Sequence, residues 1–152
     1  DTLDGWAGND ALDGGAGDDA LTGGTGNDTF TIGSGTDTIS DLATGDIFTV
    51  DVGAAVRATV SGTSFTATNA TQNRGGANTD ARINAVLNAT GVDMSLANVA
   101  NAATDGFNIQ IGVFASGTYA GSSGNDIINN TNNLSGVTII GGAGADDMDG
   151  SN

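Results

Sequence analysis

At 152 residues the chain is the size of one domain, and its formal charge of −15 comes from eighteen acidic residues, all of them Asp, against three cations, Arg57, Arg74 and Arg82. That balance argues against nucleic acid and anionic lipid as partners and favours hard cations held by oxygen ligands. Cys, His and Lys are absent, which removes disulfides, thiolate and zinc sites, Ser or Cys triads, and lysine chemistry, so no catalytic or cofactor-binding residue is assigned and the chain does not read as an enzyme.

The Asp residues are segregated, with eleven in 1–51, three in 52–120 and four in 121–152. From the first residue they keep a period of nine: Asp1, Asp10, Asp19, Asp28, Asp37 and Asp46. Two residues after each stands a large apolar side chain: Leu3, Leu12, Leu21, Phe30, Ile39 and Phe48. Gly8, Gly17, Gly26 and Gly35 precede the repeating Asp by two, and Gly15, Gly24 and Gly33 lie two earlier still. Two units are complete, GGAGDDALT at 14–22 and GGTGNDTFT at 23–31, and the flanking units decay while keeping register. Trp6 stands where a second Gly belongs, which predicts a distorted first loop and a weaker site.

A Gly-rich hexad bends through positive φ, and the three residues after it extend as a short strand. Two nonapeptides then make one turn of about eighteen residues, with strands of successive turns stacked in parallel about 4.8 Å apart. Stacking places Asp1, Asp19 and Asp37 on one edge and Asp10, Asp28 and Asp46 on the other. Carboxylates at that spacing repel by about 3 to 4 kcal/mol per pair at an effective dielectric near 20. A Ca²⁺ between loops, taking about six to eight oxygens, reverses the sign, so folding and calcium binding are expected to be one event with up to four ladder sites.

From 50 to 120 the Asp period stops. Alternation at Val56, Ala58, Val60 and at Ile109, Ile111, Val113 predicts strands, a metal-poor, solenoid-like segment. Two stretches carry helical spacing: Ile83, Val86 and Leu87 after a Thr79 cap, and Leu96, Val99, Ala100 and Ala103 after a Ser95 cap. Strands are favoured throughout, with one short helix admitted at about Asp80 to Ala89. Trp6, Phe65, Phe107 and Tyr119 read as core or cap residues before ligand platforms. Thr63, Thr66 and Thr68 read as β-formers on a wet face, with ice or glycan binding as the sharper alternative.

The pattern returns as GSSGNDIIN at 121–129 and GGAGADDMD at 141–149, separated by eleven residues instead of nine. Asp126 and Asp146, twenty apart, are expected to share one ion. Asp18 beside Asp19 and Asp147 beside Asp146 read as neighbours of repeating ligands, not as acid/base pairs. Gly150, Ser151 and Asn152 resemble the opening of another unit, so an excerpt of a longer roll or one period of a tandem array is expected.

The nonapeptides resemble the RTX calcium-binding family, whose pattern is G-G-x-G-x-D-x-U-x, strongly over 1–49 and again over 121–152. The resemblance implies an all-β fold, a right-handed parallel β-roll or β-solenoid with Ca²⁺ between stacked Gly/Asp loops. It implies that the repeating Asp side chains bind Ca²⁺ together with the loop carbonyls of Gly14, Ala16, Gly23 and Thr25. It further implies an extracellular or cell-surface protein exported by a one-step, type I route and folding outside the cell. The functions expected are a Ca²⁺-rigidified part of a surface layer, adhesin or filament that associates with copies of itself; a module binding glycan, ice or a partner; or an accessory domain of an exoenzyme or toxin. Direct membrane insertion is not expected, and no stretch has the length of a transmembrane helix.

Overall fold

The computed structural model describes residues 1–76, 80–86, 88–130, 132 and 134–150. Among the described residues, seventeen short strands follow one another. The first six are β1 (Thr2–Asp4), β2 (Ala11–Asp13), β3 (Ala20–Thr22), β4 (Thr29–Ile32), β5 (Thr36–Ile39) and β6 (Ile47–Val50). The middle contributes β7 (Ala55–Ser61), β8 (Ser64–Thr66), β9 (Gln72–Asn73), β10 (Asp80–Val86), β11 (Gly91–Asp93), β12 (Asn98–Val99), β13 (Asn108–Ile111) and β14 (Gly117–Ala120). The last three are β15 (Ile127–Asn129), β16 (Val137–Ile140) and β17 (Asp147–Asp149).

Every strand pair is parallel, and the strands stack into three sheets. A long sheet runs β1-β3-β5-β7-β10-β13-β15-β17, a second runs β2-β4-β6-β9-β12, and a third runs β8-β11-β14-β16. This is an all-β parallel solenoid, and its N-terminal turns have the expected pitch: Leu3 pairs with Leu21, and Leu12 with Phe30, eighteen residues on. One inward column crosses the whole long sheet, from Leu3 through Leu21, Ile39, Ala58, Ile83, Ile109 and Ile128 to Met148. The second sheet contributes Leu12, Phe30 and Phe48, and the third Phe65, Val92, Tyr119 and Ile139. Phe48 joins these faces, its ring centroid 5.9 Å from Phe65 and 6.1 Å from Phe107.

The middle departs from the eighteen-residue turn because it has a third side. Arg57 pairs with Arg82 and Ser64 with Gly91, so each turn there spends 25 to 27 residues. The extra corner is a tight turn closed by the Ala89 amide on the Val86 carbonyl (3.1 Å), and one turn later by Ala115 on Gly112 (3.4 Å). Asn88 and Phe114 take left-handed φ of 69° and 62° at these corners. The corner also ends the alternation at Ile111: Val113 lies exposed in the turn. At the C-terminal end the second sheet stops, and turns of 19 to 20 residues alternate between the long and third sheets.

The short helix expected at about Asp80 to Ala89 is not formed; that stretch is β10, with Ala81, Ile83 and Ala85 buried and Arg82, Asn84 and Val86 on the outer face. Both neighbours, β7 and β13, offer it open parallel ladders, and pairing on two sides outweighs a helical spacing of three apolar residues. Thr79 and Leu87, on which the helix reading also rested, lie outside the described residues, as do Ser151 and Asn152. Nor do Leu96 to Ala103 form a helix: Asn98–Val99 is β12, and Leu96 is exposed beside a turn. Phe65, Phe107 and Tyr119 are core residues, whereas Trp6 is 77% exposed. Burial pushes the Tyr119 phenol up to about 12, and its hydroxyl donates to the Ser116 carbonyl at 3.1 Å.

Loop stacking is close enough that some glycines cannot be replaced. Gly26 has φ of 142°, and a Cβ there would collide with the Gly8 carbonyl oxygen one turn below. Gly26→Ala is expected to cost the calcium-loaded chain about 3 kcal/mol, lowering Tm by roughly 10 °C. Gly15→Ala shares the left-handed strain, with φ of 78°, but meets nothing within 4 Å, and is expected to cost less than half as much. Thermal unfolding in excess calcium checks the pair.

Candidate metal centre

Each repeating Asp stands at the entry to a strand: Asp1, Asp19 and Asp37 on the long sheet, and Asp10, Asp28 and Asp46 on the second. One carboxylate oxygen is spent in binding the turns together. The amide of Asp10 donates to Asp28 Oδ1 (2.9 Å), that of Asp19 to Asp37 Oδ1 (3.1 Å), and that of Asp28 to Asp46 Oδ1 (2.9 Å). The Asp1 ammonium meets Asp19 Oδ1 in the same way, and Asp126 donates to Asp146 Oδ1 at 3.0 Å. The predicted vertical pairing of repeat n with n+2 is therefore formed at every ladder step.

The other oxygen is the informative one. Oδ2 of Asp10, Asp19 and Asp37 is buried with no hydrogen-bond partner, although a buried carboxylate oxygen without a partner is strongly unfavourable. These oxygens face the first glycine of a loop. The point where a side chain on Gly14 would begin lies 2.8 Å from Asp37 Oδ2 and 3.1 Å from Asp19 Oδ2. At Gly5 the corresponding point is 2.6 Å from the Gly23 carbonyl oxygen and 2.9 Å from Asp10 Oδ2. The absent side chains thus leave cradles lined by carboxylate and carbonyl oxygen, the donor set that suits Ca²⁺. Among the described residues no group of three or more Asp comes together, and at Gly5 a backbone carbonyl stands beside the carboxylate.

The loop residues named from the sequence fall in different places. Gly14 and Gly23 are buried against the carboxylates, and Ala16 and Thr25 are exposed. The Thr25 carbonyl already accepts the Gly8 amide (2.9 Å), and Ala16 forms a bridge with Ser34. Trp6 does not distort its loop. It takes the left-handed φ of 67° that Gly15 and Gly24 adopt in theirs, and its carbonyl accepts the Thr25 amide at 3.0 Å. Where the repeat decays, the carboxylate turns on its own loop. Asp46 Oδ2 accepts the Ala43 amide (2.9 Å), and Asp126 Oδ2 accepts the Ser122 amide (2.7 Å), while Asp126 Oδ1 caps Phe107 (2.7 Å).

A second ladder escaped the sequence reading. Asn9 Oδ1 accepts the Asn27 amide (3.0 Å), Asp18 Oδ1 that of Thr36 (2.8 Å) and Asn125 Oδ1 that of Ala145 (2.8 Å). Its sequence signal is the Asn or Asp immediately before the repeating Asp: Asn9, Asp18 and Asn125. Asp4 and Asp13 open their loops similarly, accepting the Trp6 (3.1 Å) and Gly15 (3.0 Å) amides.

Burial, with the neighbouring carboxylates, raises Asp37, Asp46 and Asp126 above the usual 3.8 in the metal-free fold. A carboxyl whose pKa is raised by folding stabilises the fold fully below its unfolded value and loses that contribution as pH rises through its folded value. The calcium-free chain is therefore expected to regain part of its sheet signal on acidification from pH 7 to about 3.5. Circular dichroism in chelator along that pH series checks this; an unchanged or falling sheet signal contradicts it.

A parallel roll whose turns are pinned through stacked aspartates, with unsatisfied carboxylate oxygens over glycine cradles, defines a calcium-stapled repeat protein. The family model for the RTX calcium-binding nonapeptide repeat (4 copies) matches residues 1–21, 7–39 and 137–152. Residues 1–39 and 137–152 thus carry the RTX calcium-binding nonapeptide repeat. The matched repeats make the chain a calcium-binding repeat module. No curated protein and no solved structure matches the chain.

Proposed function

We propose that the chain is an extracellular module in which Ca²⁺ binding drives folding and rigidity of a surface-layer, adhesin or filament protein, exported unfolded by a type I route. The observation that carries the reading is the set of buried, unpartnered carboxylate oxygens, of Asp19 and Asp37 on the long sheet and of Asp10 on the second. Stacked turns transmit stiffness along one axis, and each depends on its neighbours for its core. Asp1, Asp10, Asp19, Asp28, Asp37 and Asp46 supply the carboxylates, Gly14 and Gly23 the nearest backbone oxygens, and Ala16 and Thr25 the outer ones. Asp126 and Asp146 form a weaker site, since Asp126 is already satisfied by Ser122 and Phe107. Extracellular calcium modules bind at about 10⁻⁴ to 10⁻³ M, a range in which the chain folds outside the cell and not before.

Self-association is proposed from the stacked architecture, in which every turn draws its stability from the turns beside it along one axis. Electron microscopy and sedimentation with and without EGTA test this. Ordered assemblies in calcium that dissolve in chelator are expected, and a monomer at every calcium concentration overturns the assembly role.

A further inference from the structure

Two of the chain's three cations, Arg57 and Arg82, stand on adjacent strands of the long sheet at the same register, both on its outer face. Like charges directly opposite across a strand pair are destabilising, so the fold gains nothing from this placement. Arg74 is held by Asp51 at 2.6 Å, and Arg57 by Asp80 at 3.0 Å. Arg82 has no ion pair among the described residues, and its Nε is buried without an acceptor.

The surroundings of Arg82 are polar and flat. Its outward neighbours along the stack are Arg57 and Asn108, and the adjoining row carries Thr59, Asn84 and Gln110. These groups donate and accept hydrogen bonds, as closely spaced sugar hydroxyls require, while a guanidinium pairs with a carboxylate through two parallel bonds. The net negative charge does not prevent such an encounter. Asp80, two residues before Arg82 on the same outer face, is neutralised by Arg57 at 3.0 Å. The other acids of this face are Asp147 and Asp149, three strands away or roughly 14 Å, and Asp4, four strands away or roughly 19 Å. Both distances exceed the screening length of about 8 Å at physiological salt.

We infer that the outer face of the long sheet around Arg82 binds an acidic polysaccharide, with Arg82 taking a uronate carboxylate and Asn84, Asn108 and Gln110 the neighbouring hydroxyls. The site lies outside the nonapeptide repeats and does not depend on the assembly role. The probe is hyaluronan, whose glucuronates carry the carboxylates, added to the full chain in saturating calcium, with dextran as the neutral control. Binding to hyaluronan that weakens with NaCl, and none to dextran, is expected. Arg82→Gln is expected to weaken it about tenfold or more with the calcium-bound sheet signal unchanged, and Arg74→Gln to leave it intact. Should Arg82→Gln fail to fold, Asn84→Asp, which sets a carboxylate beside the guanidinium, is expected to produce the same loss. The proposal is overturned if wild type does not bind, or if the folded variant binds as wild type does, which assigns capture to bound calcium. It is also overturned if the variants change sedimentation and not hyaluronan binding, which assigns the patch to a second copy of the chain.

Discussion

Adding EGTA is expected to abolish most of the β-sheet circular dichroism of the chain, and Ca²⁺ in excess of the chelator to restore it. The reason lies in the ladder. Asp19 and Asp37 are nearly fully buried, one above the other, with Oδ2 of each unpartnered, and Asp10 adds a third such oxygen on the opposite edge. Without a counter-ion each stacked pair repels by about 3 to 4 kcal/mol, and several such pairs together reach the whole stability of an ordinary domain. The apolar column cannot compensate at the N-terminal end, where each turn buries little beyond Leu3, Leu12 or Leu21. Mg²⁺ is expected not to substitute, because it demands near-octahedral geometry at about 2.1 Å and parts reluctantly with water, whereas the cradles offer scattered carbonyl and carboxylate oxygens. Full sheet signal in chelator contradicts the coupling.

Asp19→Asn is expected to be the most damaging single ligand change. Asp19 takes part in two ladder steps, accepting the Asp1 ammonium and donating its amide to Asp37, and its Oδ2 shares the Gly14 cradle with Asp37 Oδ2. An Asn keeps an oxygen for the lower step but carries less charge and turns an N–H donor toward any cation in the cradle. Half-saturating calcium is expected to rise about tenfold or more, with at least one ion lost from the bound total. Asp13→Asn is the matching control: Asp13 is exposed, its Oδ1 accepts the Gly15 amide, and an Asn oxygen accepts it equally well. Calcium titration of both variants decides, and equal affinities contradict the assignment of Asp19.

The N-terminal roll was legible because one residue type at one spacing carries both the pitch and the chemistry. The pairing of Leu3 with Leu21 and of Asp10 with Asp28 follows directly from the period of nine. The third side of the middle was not legible. It depends on corners at Val86–Ala89 and Gly112–Ala115, where Asn88 and Phe114 take left-handed backbone; a lone Asn is a weak turn signal and Phe114 is none. The strand at Asp80–Val86 was obscured for a related reason: Ala81 and Ala85 are too small to stand out against Ile83, and the apolar spacing then imitates a helix. Within the site, sequence placed the ladder carboxylates but not their individual oxygens. Asp46 Oδ2 is taken by the Ala43 amide and Asp126 Oδ2 by the Ser122 amide and hydroxyl, and of these only the Ser122 hydroxyl, where complete repeats carry glycine, is marked in the sequence.

The most direct test of the central claim is one calcium titration of the metal-free chain in which bound ion, by equilibrium dialysis, and sheet content, by circular dichroism, are read on the same samples. Folding and binding as a single event predict two superimposed, cooperative curves, with several ions bound per chain when the sheet is complete. A sheet signal complete before any ion is bound, or ions taken up by a chain that remains unfolded, would contradict it.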